Sequence, residues 1–191
     1  MKRIKVLLLL KLLFFSFSAS TAQDKLTADT ARTTLNWQGE KVTGQHSGSV
    51  KLQPGWIYLN DNKIVSGEFM VDMTSIKDDQ RDARLERHLK SDDFFSVQKF
   101  PVAKLVLTGS NSFETGKAIV RGDLTIKGIT NPVEFQTIMQ KKDEGVWCFA
   151  NITIDRTKYN VRYGSGSFFD NLGDKTIYDE FKLKVALLVK K

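Results

Sequence analysis

The sequence predicts an all-β protein, an antiparallel barrel of about eight strands with one short helical crossover at about residues 78–90. From Thr33 onward, apolar and polar residues alternate with a period of two, as in strands that are buried on one face. Short turns rich in Gly, Pro, Asn or Asp join most of these segments, and no βαβ alternation appears. A barrel of about eight strands fills its own interior or holds one small ligand. A two-sheet sandwich fits the same pattern and stays open as the alternative.

Residues 1–22 have the features of a secretory signal peptide, which leaves residues 23–191 as one domain. Basic residues at positions 2, 3 and 5 precede an apolar stretch, and Ser20-Thr21-Ala22 supplies small residues for cleavage. The apolar run is shorter than the roughly 20 residues of a membrane span. Four basic residues and no acid lie in this leader, so the net charge falls from +7 to +3 on cleavage. We therefore expect a periplasmic or secreted protein, and its charge gives no reason to expect nucleic acid as a partner.

The alternating segments supply the strands, and each has one apolar face. They begin at Thr33 and at Val133, or span Ser49–Gln53, Trp56–Asn60, Ile64–Met73, Ala103–Gly109, Ala118–Lys127, Val146–Asp155 and Phe181–Val189. An interior lined by Phe, Leu, Val and Ile with few acids would accept a long apolar chain. The candidate lumen residues on these strands are Trp37, Phe69, Leu105, Leu124, Phe135 and Phe149.

The segment from Arg81 to Lys104 forms a long polar crossover between strands. Leu85 and Leu89 stand one turn apart, which predicts a short surface helix, and Ser91-Asp92-Asp93 interrupts it. Phe94 and Phe95 follow this interruption, so the segment is a candidate lid or plug over an apolar interior. The three-residue spacing of Arg81, Arg84 and Arg87 predicts one helical face, either solvated or able to hold an anionic head group.

A second long segment, residues 156–178, mixes Gly, Ser and Asn with aromatic residues. Long loops without secondary structure in compact domains are usually functional. We expect this loop to fold over the barrel mouth and to bring Phe168 and Phe169 near Phe94 and Phe95. At its base, Arg156 follows Asp155, which predicts an ion pair that pins the loop, with head-group binding as the alternative.

Few residues in the sequence are suited to catalysis. The chain has two histidines and one cysteine, and it lacks the zinc-protease, dithiol, nucleophile-elbow and phosphate-loop motifs. Cys148 alternates with Val146 and Ala150, which predicts a buried, inert thiol. We therefore expect no catalytic residue, no metal and no cofactor. A hydrolase or isomerase that uses His88 with Asp92 or Asp93 is the rival interpretation, and a packed structural barrel is a third.

Two long motifs and a short one resemble the YceI-like family. The first runs from His88 to Phe95 and continues as Lys99-Phe100-Pro101, after Arg81-Asp82. The second is Gly122–Val133, and the third is Asp155-Arg156 followed by Tyr159. The resemblance implies an extended lipocalin-like antiparallel barrel, exported to the periplasm, that binds a long-chain isoprenoid or fatty-acid-like lipid. Such a protein would need no nucleic acid, and transient contact with a membrane surface and a homodimer are compatible with it.

Overall fold

The computed structural model describes residues 23–191, which form ten β-strands, one α-helix and two 3₁₀ helices. The predicted signal peptide, residues 1–22, lies outside the described residues. In the described part, no helix is long and apolar enough to span a bilayer. The strands are β1 Asp24–Ala28, β2 Thr34–Lys41, β3 Gly44–Leu52, β4 Trp56–Asn60, β5 Lys63–Asp78, β6 Val102–Ser110, β7 Lys117–Ile126, β8 Ile129–Lys142, β9 Gly145–Asp155 and β10 Ile177–Lys190. The helix α1 is Ala83–Lys90, and the 3₁₀ helices are Arg156–Tyr159 and Gly173–Lys175.

The sheet closes on itself as an eight-stranded antiparallel barrel. Its ring runs β5, β6, β7, β8, β9, β10, β2, β3 and back to β5. Closure depends on the pairing of residues 67–72 of β5 with residues 102–107 of β6. The predicted antiparallel barrel is therefore confirmed, and the sandwich alternative is wrong.

Strands β1 and β4 extend the barrel at one end. The first half of β5 pairs with β4 and its second half with β3, while β10 pairs with β2 and, near its end, with β1. Because β1 also pairs with β4, this end has its own ring of eight strands. The alternation pattern did not reveal β1, since Leu26 is its only large apolar residue.

Irregular pairing in β5 changes which residues face inward. The register of β5 shifts against β4 near Ser66. It shifts again, against β3, between Asp72 and Lys77. Val65 consequently lies on the outer side and is exposed, although simple alternation places it with Phe69. Beyond the second irregularity the inward positions resume at Ile76 and Asp78, which are both buried.

The crossover contains the predicted helix. The Asp82 carboxylate caps α1 by accepting hydrogen bonds from the backbone N–H groups of Arg84 and Leu85, at 2.8 and 3.2 Å. These bonds lower the pKa of Asp82 below its usual value. Arg81 precedes the helix with a positive φ of 60°, so the predicted row of three arginines on one helical face is wrong. We call residues 79–101 the cap segment.

The buried residues form two clusters, one above the other along the barrel. One surrounds Phe69, Leu107 and Val120 at the end extended by β1 and β4, which we call the closed end. The other surrounds Met73, Ile126 and Ile154 under the cap segment, at the end that we call the mouth. Phe135 and Val185 pack against both clusters and connect them.

Gly48 permits a close cross-strand contact near the mouth. Trp37 pairs with Gly48, and the Trp37 indole N–H donates to the carbonyl of Lys77 at 3.2 Å. A Cβ on Gly48 would overlap that carbonyl and lie 2.5 Å from the Trp37 ring. Gly39, by contrast, has nothing within 4 Å of an added Cβ.

We therefore expect Gly48→Ala to lower the free energy of unfolding by about 2 kcal/mol, because the new methyl group overpacks this contact. Urea denaturation followed by tryptophan fluorescence measures the change. Gly39→Ala is the matched control and should stay within about 0.5 kcal/mol of the wild type. Equal stability of the two variants would contradict the tight packing of Trp37 on Gly48.

Candidate functional site

An apolar cavity of about 260 Å³ lies at the mouth, between the barrel wall and the cap segment. The cap segment contributes five side chains to its lining, Leu85, His88, Leu89, Phe94 and Phe95. The barrel wall contributes mainly aromatic and aliphatic side chains, among them Trp37, Met73, Ile126, Ile154 and Phe181. The candidate lid is thus in contact with this outer cavity.

A second cavity, of about 110 Å³, lies deeper in the barrel. Val71, Leu124 and Leu183 line both cavities, so they form a neck between the outer and the inner one. The inner lining is almost wholly aliphatic and aromatic because it consists of the inward residues of alternating strands. The two cavities thus lie one above the other inside the barrel, and the three shared side chains separate them.

Charged and polar side chains occur mainly at the mouth. Glu40, Lys41, His46, Tyr178 and Glu180 line the outer cavity at its rim. In the inner cavity the one charged residue is Lys104, whose ammonium group lies 2.9 Å from the Glu68 carboxylate. This arrangement suits an amphiphile whose polar end stays at the mouth while its apolar part enters the lumen.

His46 and Asp78 form a polar pair that the sequence reasoning missed. The His46 Nδ1 lies 3.6 Å from Asp78 Oδ1, and the Asp78 side chain is only 1% exposed. The other Asp78 oxygen accepts from the backbone N–H groups of Gln80 and Asp82. The period-two pattern of β3 contained a signal, because His46 shares the inward face with Val50. The sequence contained no signal for the pairing of His46 with Asp78, which is more than thirty residues away along the chain.

His88 faces the outer cavity from the helix. Its ring packs edge-on against Phe94 and Tyr163, with centroid distances of 5.3 and 4.4 Å. The Nε2 atom is buried and has no hydrogen-bond partner. Asp92 and Asp93 are exposed, and Asp92 lies 3.6 Å from Lys99. Neither carboxylate is bonded to His88 within residues 23–191, so the acid–base pair of the rival interpretation does not form in this structure.

Arg156 is 3% exposed and holds the long loop at the mouth. Its guanidinium donates to the carbonyls of Val161, Ile177 and Tyr178 at 2.8, 2.9 and 3.0 Å. Its charged partner is Asp179, at 3.5 Å, rather than the expected Asp155, which caps the first 3₁₀ helix. Burial lowers the pKa of Arg156, and the carboxylates of Asp179 and Asp155 oppose that shift. Arg156 also lines the outer cavity, although its hydrogen bonds all go to the protein.

Asp179 also holds the loop, because its carboxylate contacts both Arg156 and Ser167. Burial alone would raise the pKa of Asp179, but hydrogen bonds from Ser165 and Ser167 and the charge of Arg156 bring it below its usual value. The Asp179 carboxylate is therefore maintained as an anion beside the guanidinium, where it links the loop to the first residues of β10.

Nine of the thirteen predicted binding residues line the lumen. Trp37, His88, Phe94, Phe95 and Arg156 line the outer cavity, Phe69, Leu105 and Phe135 line the inner cavity, and Leu124 lines both. The structure thus brings these nine residues together around the two cavities.

The other four predicted residues lie elsewhere. Arg81 is exposed before the helix, and Phe149 lies on the outer face of β9, stacked on Trp147 with centroids 5.8 Å apart. Phe168 and Phe169 are exposed, and the Arg162 guanidinium lies over the Phe168 ring at 4.4 Å. The loop does reach the cap segment, but through Tyr163, because its backbone path turns Phe168 and Phe169 outward.

Cys148 lies beside the inner cavity, as expected for a buried thiol. Burial raises the pKa of its thiol to about 12, so the group stays neutral and unreactive at ordinary pH. Within residues 23–191, no group of three or more His, Cys, Asp or Glu side chains is arranged to hold a metal ion.

Sequence comparison relates this chain to a known family. Residues 26–189 match the YceI-like domain. A UPF0312 protein of Shewanella denitrificans is 32% identical over 85 residues, which cover 44% of each chain. A UPF0312 protein of Pseudomonas putida is 31% identical over 100 residues, or 52% of each chain. The chain therefore spans about half the length of the curated relatives it matches.

Solved structures share the fold. BcnA of Burkholderia cenocepacia superposes with a TM-score of 0.72 at 22% identity, covering 86% of this chain and 99% of BcnA. A polyisoprenoid binding domain from Saccharophagus degradans, implicated in plant cell wall breakdown, superposes with a TM-score of 0.65 at 13% identity, covering 86% and 97%. At these identities the likeness is one of fold.

We expect Arg156→Met to lower the free energy of unfolding by about 3 kcal/mol, because three carbonyls would lose their buried donor. Urea denaturation measures this, and chymotrypsin should cut the released loop at Phe168 or Phe169 much faster. Arg162→Met is the control, since Arg162 is exposed and its guanidinium lies over the exposed Phe168 ring. If both variants resist chymotrypsin equally, Arg156 does not hold the loop.

Proposed function

This chain belongs to the YceI-like family, and from that premise we propose that it is a binding or carrier protein for a long-chain isoprenoid or similar amphiphilic lipid. The observation that carries the proposal is the pair of adjacent apolar cavities inside the barrel, which share Val71, Leu124 and Leu183. The fold it shares with the polyisoprenoid binding domain of Saccharophagus degradans supports the same chemistry.

The shape of the lumen favours a linear chain over a compact ligand. A bulky ring system would fill the outer cavity and stop at the neck, whereas a flexible chain can pass through it. Each methylene that leaves water contributes about 0.8 kcal/mol, so a chain that occupies both cavities binds tightly without strong polar contacts. The polar end would then lie near His46 and His88, where the unpartnered His88 Nε2 is available for a hydrogen bond.

The rival functions have less support. Catalysis by His88 would need an acid or base partner, and Asp92 and Asp93 are exposed outside the cavity. A packed structural barrel would fill its interior with its own side chains, whereas this barrel encloses two cavities. Binding uses the observed lumen and requires no further group.

The proposal also includes the location of the protein. The leader-like residues 1–22 support export to the periplasm or secretion. A carrier there would take its lipid from a membrane, and Phe168 and Phe169 are exposed at the mouth, where transient contact with a membrane surface would occur. A homodimer stays compatible with the fold.

The direct test is to purify the mature protein from its native host and to analyse its organic extract by mass spectrometry. We expect about one polyprenyl or acyl amphiphile per chain. An empty extract, together with failure to bind such lipids when they are added back, would contradict the proposal and favour a structural role.

A second prediction concerns the neck. In the wild type, affinity for saturated fatty acids of 8 to 20 carbons should rise about fourfold per methylene until both cavities are filled. In Leu124→Trp the affinity should stop rising at a shorter chain length, because the indole blocks the neck. The longest acids should bind this variant about tenfold or more weakly than they bind the wild type. Isothermal titration calorimetry of the series measures both curves.

The control is Asp123→Trp, which places the same indole at the adjacent, outward and exposed position of β7. This variant should follow the wild-type curve. Thermal unfolding of both variants establishes that they are folded. Identical curves for Leu124→Trp and the wild type would show that bound chains do not pass the neck.

A further inference from the structure

Four buried polar side-chain atoms in residues 23–191 have no hydrogen-bond partner. Three of them, on His46, Asp78 and His88, are near the mouth, where the polar end of a ligand would lie. The fourth is Thr137 Oγ1, which belongs to the inner cavity. A hydroxyl that is buried and unpaired destabilises a protein, whereas a valine of the same shape would not. Thr137 therefore calls for an explanation that the apolar lumen does not provide.

Thr137 occupies an inward position of β8, between Phe135 and Met139, and is 4% exposed. Its register partners on the two neighbouring strands are Ala118 on β7 and Ala150 on β9. Both carry the smallest side chain with a Cβ, and Ala150 lines the inner cavity together with Thr137. The Thr137 side chain thus borders the inner cavity, where a bound chain would pack against it.

The surroundings of Thr137 select a neutral partner. The Lys104 side chain alternates with the inward Ala103 and Leu105, is 43% exposed and pairs with Glu68 at 2.9 Å, so its charge lies on the outer side of the wall. The other polar neighbour in the lining is the Cys148 thiol, which is neutral and a weak donor. An ionised group at this depth would be desolvated without a counter-charge, which is strongly unfavourable. A hydroxyl or carbonyl oxygen can be accommodated.

We propose that the inner cavity is a second polar subsite, in which the Thr137 hydroxyl binds a neutral oxygen carried by the bound chain far from its head group. This inference rests on the proposed function and narrows it. The preferred ligand would be an oxygenated chain, with a hydroxyl or carbonyl near its far end, rather than a plain hydrocarbon tail.

The depth of Thr137 sets the position of that oxygen. Thr137 is eight residues along β8 from Ile129, the first residue of the strand at the mouth. Eight extended residues span about 26 Å along the strand, or about 20 Å along the axis of a barrel tilted by about 40°. The oxygen should therefore be near the end of a long chain that enters from the mouth.

The test compares fatty acids of 12 to 20 carbons with their ω-hydroxy counterparts of equal length, using calorimetric titration of the mature chain. The wild type should bind the ω-hydroxy acid whose terminal oxygen reaches Thr137 almost as tightly as it binds the plain acid of equal length. In Thr137→Val, which keeps the shape and removes the hydroxyl, the same ω-hydroxy acid should bind about tenfold more weakly. The plain acids should bind Thr137→Val as tightly as they bind the wild type.

Thr137→Ser is the matched control, because it keeps a hydroxyl and should retain the wild-type tolerance of the ω-hydroxy acids. If plain acids bind, but the ω-hydroxyl group lowers the affinity by the same factor in the wild type and in Thr137→Val, the subsite is refuted while the lipid-binding proposal stands. If no acid or prenyl alcohol binds at all, both proposals are overturned. Thermal unfolding should show Thr137→Val to be at least as stable as the wild type.

Discussion

The pairing of β5 with β6 is the interaction on which the rest of the structure depends. Six residue pairs join the two strands and turn an open sheet into a closed barrel. Closure pairs the strand edges and surrounds the inward side chains with wall on all sides. It requires β5 to exchange one partner for another along its length, β4 near the closed end and β3 near the mouth. The irregularities in β5 make this exchange possible, so a local change of register determines the enclosure of the whole lumen.

Much of this architecture can be predicted from the sequence because the period-two pattern records which side of the wall each residue occupies. The clean alternation in β7 supported Leu124 as a lumen residue, and Val120 and Ile126 on the same face are buried as well. The pattern failed where the backbone departs from a regular strand. Val65 faces outward because the register shifts, and β1 was too short and polar to be recognised. The helix was predicted from Leu85 and Leu89, yet Arg81 was assigned to its face because spacing alone does not reveal where a helix begins.

The candidate site was predicted only in part, for a different physical reason. Residues on regularly paired stretches, such as Phe69 and Leu105, were assigned to the lumen by their periodicity. The long loop has no period, so its aromatic residues could not be ranked, and Tyr163 rather than Phe168 packs against His88. The loop is held by the bonds of Arg156 to three backbone carbonyls. Backbone carbonyls are present in every residue, and a sequence therefore gives no indication of which ones a buried guanidinium will bind.

The closed end has a consequence for how fast a guest can leave. At that end the barrel is filled by Leu26, Leu59, Phe113 and Met139, all buried, so the inner cavity has packed side chains on the side away from the mouth. A molecule inside it can leave only backwards, past the neck and then past the cap segment. Each added carbon increases the length of apolar chain that must return to water during release. The rate of the first encounter at the mouth does not depend on that length. Longer guests would differ from shorter ones chiefly in residence time rather than in rate of capture. This arrangement favours retention over rapid exchange, and prompt release would require something that draws the guest out from the mouth.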